Sequence, residues 1–292
     1  MTIELIPALL ALLSAALFGL NVHIQRRGLD SVDAMTGAFV SVASMAVVFW
    51  LFAPFILHRE WWFSTGAMIF AVTGLFFPAL GQRLQTSSVL RVGPALTSAL
   101  GAFTPLFAVV PAVLFLHEDF GWQAALGITL MMTALILSAR GQKGVKRNWP
   151  LWVLIIPLGA AFVRGIVQPV TKLGLAELPS PFFAALLTST VSAFVLALML
   201  AAGRKQPRLE ERKTGLFWLA ASGVINGAGI LSLNTAINLG DVLVAAPLAS
   251  SAPIWALAYG AFWFRNEQLG LRHLVIALLV VSGAAMIILR HT

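Results

Sequence analysis

The chain has 292 residues, 59% of them hydrophobic and only 10% charged, at a mean hydropathy of +0.91. A soluble fold of this size carries charge on about a quarter of its residues, so that class is excluded and most of the surface must face lipid. The absence of cysteine removes disulfides, thiolate metal sites and cysteine nucleophiles, while the net charge of +8 is decided by where the basic residues stand.

Cutting the chain where charge, proline and glycine cluster between apolar runs of about 20 residues predicts ten transmembrane helices. They lie at 5–25, 33–57, 63–83, 90–116, 121–139, 150–172, 180–202, 215–238, 241–264 and 270–289. The first run is long, lacks a basic start and is followed by Arg26 and Arg27 rather than a cleavage site, so it reads as a span and not a signal peptide. The polar connectors 140–149 and 203–214 are too short to hold a soluble domain. A β-barrel would need runs of roughly ten residues with alternating polarity. These runs are continuous and twice as long, and helices satisfy their own backbone groups in lipid.

In chain order, the polar groups inside the predicted spans are few, and such groups are costly enough to be candidate substrate contacts. The first span carries Asn21, His23 and Gln25, and the third ends near Gln82. The fourth is interrupted by Pro94, Pro105 and Pro111. Arg164 and Gln168 stand in the sixth, Asn226 and Asn234 in the eighth. The ninth contains Pro247, Ser250, Ser251, Pro253, Trp255 and Tyr259. All eleven acids fall at or near span ends, so Arg164 has no obvious counter-ion in the sequence and is suited to a bidentate grip on a substrate carboxylate or phosphate. The amides Asn21, Gln168 and Asn226 both donate and accept, which suits an uncharged or zwitterionic solute. His23 titrates near neutral pH, but without a carboxylate inside a span facilitated diffusion is the simpler expectation. Ser250 and Ser251 offer hydroxyls, and Trp255 an aromatic wall.

The chain also resembles itself. PLFAVVPAVLFLHEDFG (105–121) lies over PIWALAYGAFWFRNEQLG (253–270), matching Pro105 to Pro253, Glu118 to Glu267 and Gly121 to Gly270. GLNVHIQRRGL (19–29) lies over GIVQPVTKLGL (165–175), matching Gly19 to Gly165 and Arg26 to Lys172. Two five-span halves, 1–142 and 143–292, follow, and because five is odd the copies are expected to run in opposite senses across the bilayer. On that alignment Asn21 falls within a residue of the position matching Gln168. The matched prolines Pro105 and Pro253 mark helix breaks at corresponding places, the best sequence pointer to a central cavity.

A five-helix unit duplicated to ten, with a proline in a long fourth helix, a terminal LFL-x-E and a glycine-bearing fifth helix, resembles the EamA-type branch of the drug/metabolite transporter superfamily. The resemblance covers essentially the whole chain. It implies an all-α membrane protein of two inverted five-helix repeats around a central cavity, moving small metabolites and often exporting amino acids. One departure is His117, where the family usually shows glycine before the glutamate; the second copy has Asn266 there.

Connectors after odd-numbered spans hold 15 of the 19 basic residues, which places them in the cytoplasm and both termini outside the inner membrane. Family members commonly have cytoplasmic termini, so charge and resemblance disagree on this point. The positive charge thus records topology and lipid headgroups rather than nucleic acid. The sequence shows no HExxH, no metal-ligand spacing among its five histidines and no P-loop, so a cofactor-free, metal-free carrier working as a monomer on a small-molecule substrate is expected. A channel or partner subunit is the alternative, and an intramembrane enzyme fares worst.

Overall fold

A computed structural model describes residues 2–92, 97, 100–140, 150–202, 213–262 and 271–288. Among them every regular element is helical. The long helices are α1 (Thr2–Leu29), α2 (Ala34–Ile56), α6 (Trp122–Arg140), α7 (Ile155–Glu177), α8 (Pro181–Ala202), α9 (Lys213–Leu239) and α12 (Leu271–Ile288). Shorter ones are α3 (Thr65–Phe76), α4 (Ala79–Val92), α5 (Thr104–Phe115), α10 (Val242–Ala249) and α11 (Ala252–Phe262). Among the described residues six segments are long and apolar enough to cross a membrane, and four more apolar helices are shorter.

Local chemistry sets the boundaries. Asp33 caps α2 by accepting from the Met35 and Thr36 amides at 3.1 and 3.0 Å, and Ser64 caps α3 by accepting from Ala67 at 3.1 Å. Between them a 3-10 turn, Arg59–Phe63, carries Trp61 and Trp62 at the span boundary. Both rings pack edge-on against Phe183, with Trp62 also stacked on Trp50.

Two predicted spans differ in the structure. The third does not stop at 83: after a cis Phe77–Pro78 bond the helix resumes as α4 and runs to Val92. The polar run from Gln82 to Ser88 reads as a connector in the sequence but is helical here, so Arg83 lies within a helix and leaves the set of connector charges. The ninth is two helices, α10 and α11, parted at Ser250 and Ser251. Pro105 and Pro253 do not kink a helix from inside. Each sits in the first turn of the helix that follows a break, where the missing N–H costs nothing.

Elements recur between the halves. Adding 148 to the bounds of α3–α4 (65–92) gives 213–240, the position of α9, and adding it to α5 (104–115) gives 252–263, the position of α11. Packing is exchanged in the same way: α1 packs on α9 and α11, and α7 packs on α3, α4 and α5. Small residues allow these approaches, since lipid tails give apolar helix pairs little hydrophobic gain and close van der Waals contact has to supply the attraction. A Cβ added to Gly19 would lie 2.6 Å from Trp255 Cβ and 2.9 Å from the Ala252 carbonyl oxygen. At Gly165 it would lie 2.6 Å from Phe107 Cβ and 2.7 Å from the Thr104 carbonyl oxygen. Ala252 and Trp255 stand 148 residues after Thr104 and Phe107, so one helix crossing is built twice. Hydroxyls reinforce the pattern: Ser41 and Ser44 of α2 donate to the Leu219 and Ala220 carbonyls of α9, and Thr188 and Ser192 of α8 to those of Phe70 and Gly74 in α3.

Candidate functional site

The inner face of α7 carries two of the polar candidates, Arg164 and Gln168. Ile155 and Leu173, each nine residues from Arg164 and therefore on the opposite side of the helix, are exposed and face outward, as is Phe162. On Arg164's own side, Pro157, Ala160, Ala161, Gln168, Thr171 and Leu175 are all buried. Arg164 is the exposed residue on that otherwise buried face. Its exposure is thus on the side of α7 opposite the apolar residues Ile155, Phe162 and Leu173. Gln168, one turn on, is buried at 7% exposure and its Oε1 has no hydrogen-bond partner.

On α1 the matching wall carries Asn21, whose Oδ1 is likewise buried and unpartnered, and Ser14, seven residues earlier on the same side, whose Oγ is too. Native interiors leave few such atoms unsatisfied. Two of these three belong to the amide pair expected from the repeat; Ser14 was not singled out by its sequence context. α1 and α7 share α9 and α10 as neighbours. Asn226 lies on the side of α9 occupied by the buried Leu219, Ser222, Gly223 and Gly229, and is itself partly exposed.

Other candidates are engaged elsewhere. His23 Nε2 lies 2.7 Å from the Ala256 carbonyl oxygen, joining α1 to α11 one turn from the Gly19 contact. Ser250 and Ser251 donate to the Ala246 and Leu248 carbonyls at 2.8 and 2.6 Å, so their hydroxyls complete the end of α10. Trp255 is 37% exposed and tilts against Tyr259 with ring centres 6.4 Å apart. No cluster of metal-ligating side chains occurs among the described residues.

A second polar centre lies at the elbow between α9 and α10. Lys172 of α7 donates to the Ile237 and Gly240 carbonyls at 2.8 and 2.7 Å, closing the end of α9. Glu118, from the α5–α6 connection, accepts from the Val242 and Leu243 amides at 2.8 and 2.7 Å, closing the start of α10. Burial, and then Asp241, push its carboxyl above the ordinary value, against the pull of the two amides and Lys172. His117 aims it: this residue has φ 53° at the end of α5, and the Glu118 amide returns to the Ala112 carbonyl at 3.4 Å. Glycine is favoured at that φ, which makes His117 a strained occupant of the turn.

The EamA-like transporter family matches the chain twice, over residues 5–140 and 150–289. The chain belongs to the EamA-like transporter family. A curated relative from a Sinorhizobium species, described as an uncharacterised transporter in the cobO 3′ region, is 27% identical over 143 residues, 49% of this chain and 98% of its own length. A protein of known crystal structure shares the fold at a TM-score of 0.79 and 13% identity, over 96% of this chain and 95% of that one. As an EamA-like member this is a multi-pass membrane transporter with a ten-helix repeat fold.

Proposed function

We propose that this transporter carries small zwitterionic metabolites, amino acids foremost, by alternating access between two inverted five-helix repeats divided near residue 142. The observation that carries this reading is the exposed Arg164 on the inward side of α7, one turn from the unpartnered Gln168 amide. A guanidinium grips a carboxylate through two parallel bonds. The amide oxygens of Gln168 and Asn21 accept from an ammonium group, and since each side chain offers donors as well as an acceptor, the pair also tolerates hydroxylated solutes. Asn226 and Trp255 complete the walls, while His23 and the serines act by holding α1, α10 and α11 in place. The exchanged packing of the halves, and a relative only half as long as this chain, support the duplicated and inverted arrangement.

The test is counterflow of radiolabelled L-leucine, L-threonine and L-phenylalanine into proteoliposomes. Saturable counterflow with at least one, lost in Arg164→Ala, is expected; none with any, or full activity in Arg164→Ala, would overturn the reading. A large non-saturating flux would instead favour a channel. For topology the charge count places both termini outside the inner membrane, and a cytoplasm-only reporter active at the C-terminus would reverse that.

A further inference from the structure

Gly28 of α1 and Gly174 of α7 occupy matching crossings, each against a helix of the opposite half. A Cβ on Gly28 would lie 3.0 Å from the Gly215 carbonyl oxygen of α9, and one on Gly66 of α3 would lie 2.9 Å from the Gly174 carbonyl oxygen. Two residues before each glycine stands a cation, Arg26 and Lys172. Two residues turn a helix by about 200°, so both cations point away from that crossing and back toward their own half. Matched glycines and matched direction make them counterparts in structure as well as in alignment.

What the two cations meet is different. Lys172, half-buried, donates to the Ile237 and Gly240 carbonyls and ties α7 to the end of α9, a helix of its own half. Subtracting 148 from those acceptors gives Val89 and Val92, in the last turn of α4. Arg26 is exposed, and its guanidinium has no hydrogen-bond or ion-pair partner among the described residues. In the same way α7 packs on α9, whereas α1 makes no comparable packing on α3 or α4, the elements that match α9. Carbonyls that end a helix need partners and favour a cation, so the end of α4 is as suited to Arg26 as the end of α9 is to Lys172. One copy of the unit is shut and the other stands apart, within a single structure.

We propose that Lys172 and Arg26 are the alternating latches of the transport cycle, with Lys172 engaged here and Arg26 engaged on the Val89 and Val92 carbonyls in the opposite-facing state. The inference rests on the transport reading above. Two inverted copies that exchange arrangements expose a site between them first to one side and then to the other, and neither copy needs a shape that its partner does not already display. Arg26 ends the first span and Lys172 stands at the end of the sixth, so the charge count puts Lys172 on the outer side. The state seen here is then shut outside and open to the cytoplasm. Releasing such a latch strands no buried charge, because a long cationic side chain reaches into the water of the side that has opened.

The chain has no cysteine, so introduced pairs report without background. Spin labels at the exposed positions Leu29→Cys and Arg91→Cys read the Arg26 side, and labels at Leu173→Cys and Leu239→Cys the Lys172 side, in lipid nanodiscs. Lys172→Met is expected to raise the exchanged population at least threefold, lengthening the second pair while shortening the first. Adding Arg26→Gln to Lys172→Met is expected to remove the shortened population. In counterflow of amino acids, Arg26→Gln should be at least fivefold slower and Arg26→Lys within twofold of the unaltered protein, since lysine is what the matching latch uses. Distances that stay unchanged in Lys172→Met, or that change in the same sense in both pairs, would overturn the latches. So would counterflow in Arg26→Gln within twofold of the unaltered protein, or an equal loss in Arg26→Lys. Should the unaltered protein show no counterflow with any amino acid, the transport reading falls, and the two label pairs still decide the exchange.

Discussion

At an offset of 146, Phe18 of α1 stands where α7 has Arg164, and Ser14 stands where α7 has Ala160. Gly19 and Gly165, by contrast, are the same residue and meet the same kind of contact at the same crossing. Positions that set helix packing have stayed alike in the two halves, and positions that face the interior have diverged. Packing is intolerant because a Cβ added at either glycine would lie under 3 Å from the crossing helix, whereas an inward-facing position is free to change its chemistry. On the proposed function, the unlike ends of a zwitterion would be told apart by the guanidinium of α7 and the aromatic and amide side chains of α1. Symmetry thus belongs to the helix-packing frame and asymmetry to the inward-facing positions.

The largest effect that separates the two walls is expected from their matched positions. Losing a charge-assisted bidentate contact removes about 2–3 kcal/mol, or roughly 30- to 150-fold, of substrate binding. Arg164→Ala should therefore lower kcat/KM in counterflow by about two orders of magnitude, and Phe18→Ala by less than tenfold. Equal losses would show that the walls are equivalent. Gln168→Leu and Asn21→Leu should sit between these, with equal effects if the amide pair acts together.

The frame should behave in the opposite way. Gly19→Val and Gly165→Val each force side-chain atoms into the backbone of the crossing helix, and overpacking of that kind costs about 1–3 kcal/mol. Thermal unfolding in detergent should show similar losses for the two variants. A difference larger than about 1 kcal/mol would mean that the two crossings are not copies of one contact.

Glu118 gives a pH-dependent prediction. Burial first, and Asp241 after it, raise its carboxyl above the ordinary value of 4.5. A raised carboxyl binds its proton more tightly in the folded protein than in the unfolded chain. Its contribution is therefore fully present below the ordinary value and is lost as pH climbs through the raised one. Glu118→Gln, neutral throughout, should flatten that part of the stability profile. An unaltered profile would mean that the carboxylate stays ionised across the range. Its counterpart Glu267 lies outside the described residues, and an equal flattening by Glu267→Gln would extend the symmetry of the frame to the two elbows.

Much of the architecture was legible because it follows from periodic and matched features. Ten apolar runs, two copies and the paired glycines need only the bilayer thickness and self-comparison. What stayed hidden involves partners remote in sequence or polarity that misleads locally. The stretch around Arg83 looks like a connector because amides and hydroxyls crowd it, yet packing against α7 keeps it helical as α4. Ser250 and Ser251 look like ligand hydroxyls until the interruption between α10 and α11 is seen, after which the carbonyls of α10 are their partners. Glu118 was placed correctly at a span end, but nothing local says that the helix it caps begins 124 residues later. Arg164 and Gln168 were legible as candidates for the opposite reason, since polar groups in lipid-spanning segments stand out whatever surrounds them.

His117 supplies the smallest effect and the most local. Its φ of 53° is one that side chains with a Cβ adopt at a cost of roughly 1 kcal/mol, and asparagine and glycine at less. His117→Gly removes that strain but also loosens the unfolded chain, which offsets part of the gain. Stability should rise by about 0.5 kcal/mol or less, with His117→Asn close behind, as thermal unfolding would measure. The second half already carries the easier residue, Asn266, at the matching position. If neither substitution stabilises the protein, the imidazole makes a contact of its own that the turn geometry does not account for. A gain confined to His117→Gly would instead show that backbone freedom, not the side chain, is what the turn before Glu118 requires.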